Sequence, residues 1–387
     1  MLEELLLRNS HIIIFYTLII ILIIIFRKRF TVESKLILLL KTKLGIRIME
    51  KLSKRYRALL KIIGYSGIGV GFIGMLFITA VLIQNLYNMI IKKTSQTTVS
   101  LVLPGTVIPG LGRIDFSFWI ITIFIVALVH EMSHGIIAKA HKIPIKSSGI
   151  VFFGPIIGAF VEPDEKKLSK QSDVVKYSVF AAGPFSNIIL SLIVLMLTAT
   201  LVTPIYNNIT EEAGVSFTKI QQGYPAEKAG LKTNTIINEI NNVTIKNPND
   251  FLMFMVCVKP NQTLTIKSQN KTFHLVTTTN PEDKNRGYIG VVGLKAERIP
   301  KKGFETLFEI INWLRKLFNF IIVLSAGIGI FNLLPLGIVD GGRMLKTALE
   351  SIYGRKALKI WKNISLTILV ILILNLTLPI LKNILRI

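Results

Sequence analysis

A chain of 387 residues that is 51% hydrophobic, with a mean hydropathy of +0.57, has too little polar surface for an ordinary soluble protein of this length. Its 46 Lys and Arg outnumber its 22 Asp and Glu, for a formal charge of +24, yet no recognition motif accompanies the excess. Nucleic acid is therefore excluded as the expected partner, and the charge fits basic loops beside anionic headgroups. The one cysteine, Cys257, excludes an intrachain disulfide and a cysteine-ligated zinc cluster; its apolar run reads as the setting of a buried structural thiol.

The apolar residues fall in blocks long enough to cross a bilayer, which takes roughly 20 residues of helix. The first runs from His11 to Phe26 and is followed at once by Arg27-Lys28-Arg29. A cleaved signal would carry its positive charge before the run, so the expectation is a retained helix with its N-terminus outside. From Arg27 to Lys61 there are twelve Lys or Arg against Glu33 and Glu50, a basic stretch that fits either an amphipathic cytoplasmic segment on the membrane surface or a solvated connector.

Ile62 to Ile91 is the second expected span, with Gly67 and Gly71 four apart for close helix packing. Pro104, Gly105, Pro109, Gly110 and Gly112 then argue for loop, short strands or a re-entrant piece. Spans follow at about 115–140 and 174–202, and the composition from Leu201 to Lys302 is that of a soluble domain. Within it, Thr263–Lys267 and Thr272–Val276 alternate around Gln269-Asn270 and predict a hairpin. Two more spans, at about 317–339 and 364–381, bring the expectation to about six transmembrane helices with one inserted soluble domain. With the N-terminus outside, 27–61, 139–173 and 343–362 are cytoplasmic and the insert is extracytoplasmic; Lys92, Lys93, Lys301, Lys302, Arg315 and Lys316 lean the other way.

The chemistry centres on His130-Glu131-Met132-Ser133-His134, an H-E-x-x-H zinc pattern that takes two of the five histidines. Residues i and i+4 share a helix face, so both imidazoles reach one ion at ~2 Å, while Glu131 sits beside that face as a general base for water. An unpaired His-Glu-His group in hydrocarbon would be costly, which favours a metal site over a structural polar cluster. Glu131 is ~12 Å from the end of its helix at Lys139, at ~1.5 Å per residue, and so lies within the bilayer nearer the cytoplasm.

A catalytic zinc takes a third protein ligand and leaves one position open. His11, His141 and His274 are badly placed for it, on a remote helix, at the membrane edge and in the soluble insert. Asp340 is the better candidate. It follows Asn332, Pro335 and Gly337, where a broken helix could line a cavity, although a break beside an acidic residue also suits a plain span end.

At this point the sequence resembles the site-2 protease family of intramembrane zinc metalloproteases. The match rests, in order, on His130-Glu131-x-x-His134, on Gly149 to Glu165, on Ala182-Gly183-Pro184-Phe185-Ser186-Asn187, and on Asn332-x-x-Pro335 leading to Asp340-Gly341. Val339 stands where the family usually has leucine. The resemblance implies Zn2+ held by His130, His134 and Asp340, Glu131 as general base, and Asn187 orienting substrate or stabilising an oxyanion. Read on its own, Asn187 is also ordinary polar glue between helices.

The stretch Gly149–Pro163 resembles the family's membrane-embedded hairpin, whose edge could pair with an extended substrate; a packed re-entrant loop is the plainer reading. Gly154, Phe160, Asn332 and Pro335 are the candidate substrate-binding residues. The insert resembles a PDZ domain through Gln222 to Leu231 and Ile236 to Asn241, with Thr233-Asn234 and Asn241-Asn242 in place of the usual Gly-Asp and Asn-Gly. It could bind peptide by strand addition or simply block bulky substrates.

The expected organisation is an N-terminal anchor and basic segment (1–61), a first part of the protease core (62–205), a PDZ-like domain (206–297) and a second part of the core (298–387). The expected function is zinc-dependent cleavage of transmembrane proteins in or near their membrane segments, in a multi-pass cell-membrane enzyme. An inactive scaffold of the same fold would be expected to lose Glu131 or a ligand, and a zinc transporter to continue its polar residues across the bilayer; neither feature is present.

Overall fold

The computed structural model describes residues 10–27, 30–34, 37–92, 102–108, 111–153, 156–268 and 271–385. The chain divides into two units, one made of residues 1–198 and 315–387 and the other of residues 199–314. Among the described residues, five helices are long and apolar enough to cross a membrane, so the protein is polytopic and membrane-integral.

The first unit contains helices α1 (Ser10–Ile25), α2 (Leu44–Arg55), α3 (Arg57–Ile91), α4 (Phe116–Ala140), α5 (Asp173–Leu197), α6 (Glu305–Phe331, which begins in the other unit), α7 (Asp340–Tyr353) and α8 (Ala357–Leu385). The first expected span is α1, only 16 residues long. The span expected at 317–339 ends early, because α6 stops at Phe331 and residues 332–339 form turns before α7 begins.

Glycines on one face of α3 allow close packing. A Cβ on Gly67 would press on the Phe185 ring at 3.1 Å, and one on Gly71 would meet Met344 at 2.6 Å. Gly69, on another face, meets nothing within 4 Å. Lower on the same helix, Asn85 donates to Asn375 of α8 at 2.7 Å, and both side chains are buried. Such a pair satisfies two amides in hydrocarbon and pins α8 to α3.

A four-stranded antiparallel sheet lies among these helices, in the order β1 (Phe30–Ser34), β2 (Ile37–Thr42), β3 (Ile145–Phe153), β4 (Ile156–Pro163). The β3–β4 hairpin is the one the sequence predicts. The other two strands correct the reading of 27–61 as only an amphipathic segment or connector: Leu39 pairs with Val151, and the amphipathic helix is confined to α2. Two glycines admit the sheet. A Cβ on Gly149 would strike the Leu40 carbonyl, and one on Gly135 would strike Met49 of α2 and Val161 of β4. β4 therefore lies close against the helix that carries His130, Glu131 and His134.

The second unit holds an antiparallel sheet built from β5 (Thr210–Ile220), β6 (Ile237–Ile240), β7 (Thr263–Ser268), β8 (Lys271–Val276) and β9 (Val291–Pro300), ordered β8-β7-β6-β5-β9. The predicted hairpin is present, with Thr263 opposite Val276; its turn at Gln269-Asn270 lies outside the described residues. Asn234, Asn241 and Asn242 all have φ between 49° and 65°, and asparagine tolerates this left-handed backbone best after glycine. Asn241-Asn242 thus makes the tight turn that a glycine would otherwise supply. Phe217, Ile237, Ile240, Leu264 and Ile266 form the buried centre of this unit. Cys257 is not buried as expected; it caps the helix Pro248–Val256 and is exposed, because the apolar run ends there.

Candidate metal centre

His130 and His134 lie one turn apart on α4, with their Nε2 atoms 3.2 Å apart. Asp340, the first residue of α7, brings Oδ2 to 3.1 Å from Nε2 of His130 and 3.3 Å from Nε2 of His134. All three residues are buried. Their ligand atoms lie within 4.8 Å of one another.

The hydrogen bonds behind the two rings decide what this cluster can hold. Nδ1 of His134 is 2.7 Å from the carbonyl oxygen of Val179, which only accepts, so Nδ1 carries a proton and the neutral ring presents its lone pair at Nε2. Nδ1 of His130 is 3.1 Å from the side-chain amide of Asn187, whose Oδ1 has no partner as placed. Exchanging the isosteric amide oxygen and nitrogen pairs Oδ1 with an Nδ1–H of His130. Both Nε2 atoms then face the Asp340 carboxylate as acceptors with no donor among them. Three acceptors converging in a buried place fit a cation, and two imidazoles with one carboxylate fit zinc with an open position.

The break between α6 and α7 aims Asp340. Its freed backbone groups are satisfied internally, as a membrane requires: Gly341 N–H donates to the Asn332 carbonyl at 2.8 Å, Ser365 to the Pro335 carbonyl at 3.0 Å, and the Trp361 indole to the Gly342 carbonyl at 2.8 Å. Glycine is needed at 341 and 342, where a Cβ would collide with the carbonyls of Leu333 and Leu336.

A cavity of about 180 Å³ opens on the cluster, lined in part by Glu131, Val161, Asn332 and Arg343 as well as the three candidate ligands. Glu131 Oε2 accepts from the main-chain N–H of Val161 at 3.2 Å. That N–H faces away from β3, so the main-chain groups of Ala159 and Ile157, two and four residues back in unbroken register, face the same side, outward from the sheet. Of the candidate substrate-binding residues, Asn332 lines the cavity. Phe160 and Pro335 do not; the Phe160 ring lies over Gly149, and Pro335 is buried in the turn. Gly154 lies outside the described residues.

Two residues of the site escaped the sequence reading. Gly183 faces the cluster on α5, and a Cβ there would collide with Nε2 of both histidines. Its motif was visible, but its contact with the ligands was not. Arg343 borders the cavity, pairs with Glu165 and stacks over the Phe180 ring at 4.2 Å.

Several membrane-length helices, with two histidines, an aspartate and a glutamate gathered at one buried point, define a membrane-integral protein of the metallopeptidase class. The profile of Peptidase family M50 matches residues 118–376, and the chain belongs to that family, the site-2 proteases. Membership implies a zinc-dependent intramembrane peptidase. A relative in Methanocaldococcus jannaschii, described as an uncharacterized protein, is 31% identical over 331 residues, covering 82% of this chain and 79% of its own length.

Proposed function

We propose that this protein hydrolyses peptide bonds in or beside the transmembrane segments of other membrane proteins. One observation carries the reading: Glu131, the three candidate zinc ligands and the end of β4 border a single cavity, joined by the Val161–Glu131 hydrogen bond. A helix hides its own peptide bonds, so a substrate segment must be extended before it can be cut. The outward main-chain groups of Ile157, Ala159 and Val161 offer such a segment a strand to pair with.

His130, His134 and Asp340 would hold the zinc, which would supply Lewis-acid polarisation of the scissile carbonyl and a water made nucleophilic near neutral pH. Glu131 takes the proton from the attacking water and delivers it to the departing amine nitrogen. Asn332 and β4 hold the substrate backbone across the cavity. The second unit is a PDZ-like domain, spanning about 206–297, on the extracytoplasmic side; 27–61, 139–173 and 343–362 face the cytoplasm, in keeping with their Lys and Arg content. The test is cleavage of a single-span substrate by detergent-purified protein. Cleavage that stops with a chelator and returns with zinc is expected; cleavage indifferent to chelation overturns the reading.

Asn187 is given a different role from the one first expected. It touches the far side of His130, away from the cavity, and so acts as a positioning residue that fixes the ring's tautomer. Asn187→Leu should weaken zinc affinity by about 10–100-fold, and Asn187→Asp, which keeps an acceptor, should restore most of it. Zinc competition with a chelator measures both. Unchanged affinity in the leucine variant with a lowered kcat would return Asn187 to oxyanion stabilisation.

A further inference from the structure

Four cationic side chains from four separate pieces of the first unit converge on a second hollow. Lys54 comes from the last turn of α2, Arg57 opens α3, Lys139 lies in the last turn of α4, and Lys142 sits in the turn leading to β3. They line a cavity of about 400 Å³.

One carboxylate faces them, Glu50, and it is already held by Lys139 Nζ at 2.5 Å. That hydrogen bond and charge keep the Glu50 carboxyl below its usual range, so it remains an anion and offsets one of the four cations. Arg57 directs Nε to the Ala140 carbonyl at 2.9 Å, which leaves its terminal nitrogens without a hydrogen-bond partner among the described residues. The Ser53 hydroxyl is turned to the Glu50 carbonyl. Lys54 and Lys142 are exposed. Next door, the His141 imidazole is held below its ordinary value by burial first, and then by Lys61 and Arg57.

The cavity has a definite depth. Arg57 begins one membrane-length helix and Ala140 ends another, and their 2.9 Å hydrogen bond puts the two helix ends at one level, where span ends ordinarily meet the headgroups. Basic residues at span ends ordinarily reach separately into water. Here they share one open hollow at the cost of mutual repulsion. Lys142 does so at φ 63°, a conformation in which asparagine or glycine is more at ease.

We propose that this cavity binds a phosphate group at the membrane interface, presented by the headgroup of an anionic lipid. The phosphate would accept from Arg57, Lys54 and Lys142 and offset part of the excess positive charge gathered there.

The test is native mass spectrometry of the full-length protein in mixed micelles containing equal phosphatidylglycerol and phosphatidylcholine. Wild type should retain phosphatidylglycerol selectively, and Lys54→Gln combined with Lys142→Asn should reduce retention by about tenfold or more. The asparagine suits the positive φ, so folding should be preserved. A control removes two exposed charges elsewhere, Lys356→Gln with Lys359→Gln, and should retain the lipid as wild type does. Displacement of the lipid by millimolar inorganic phosphate would assign the site to free phosphate and support the same chemistry. Equal retention in the cavity variant and wild type, or equal loss in the control, overturns the proposal.

Discussion

Glu131→Gln is expected to abolish cleavage of a membrane-segment substrate while leaving zinc bound. Glutamine keeps the shape of the side chain and an oxygen that can accept from Val161 N–H, so the link to β4 survives. Only the proton acceptor is lost. Removing a general base typically costs 10²–10⁴-fold in rate, about 3–5 kcal/mol of barrier. The measurement is a turnover rate beside a zinc assay on the same preparation. Unchanged turnover would sink the assignment of Glu131, and loss of zinc would show that the side chain acts on the metal instead.

The second large effect is expected at Gly183, where alanine should empty the site. The added methyl would occupy the space beside Nε2 of His130 and His134, and it would lie 2.7 Å from Cδ2 of the His130 ring. Neither ring can retreat easily, since one is held by Val179 and the other by Asn187. Zinc content should fall to background and cleavage by more than about a hundredfold, in line with loss of the metal that generates the nucleophile. Gly69→Ala is the control, because its Cβ would enter open space. It should leave both zinc and activity intact, and alanine there favours the helix by about 1 kcal/mol. Full zinc occupancy in Gly183→Ala would overturn this account of the residue.

The site was legible in proportion to how local its signals are. His130 and His134 are four residues apart on one helix, and their placement in a hydrophobic span made them conspicuous. Asp340 is 210 residues from His130, and only its helix break and the family resemblance pointed to it. The turns at Asn234 and Asn241-Asn242 are legible from the residues themselves, because asparagine answers the same backbone demand as glycine. β1 and β2 could not be read, since their pairing with the hairpin brings Leu39 to Val151 and no local pattern encodes that meeting. The same holds for the roles of Gly183 and Asn187. A missing side chain and a buried amide acquire meaning only from the rings beside them.

The spacing of β4 bears on where cuts can fall. Its outward main-chain groups recur at every second residue, at 157, 159 and 161, and the N–H of the last donates to Glu131. A partner strand shifted by one residue would turn its other face to the sheet, whereas a shift of two restores the same face and the same hydrogen bonds. For a substrate strand paired with β4 as proposed, the edge would be a ruler graduated in pairs, and alternative scissile bonds in one substrate should lie an even number of residues apart.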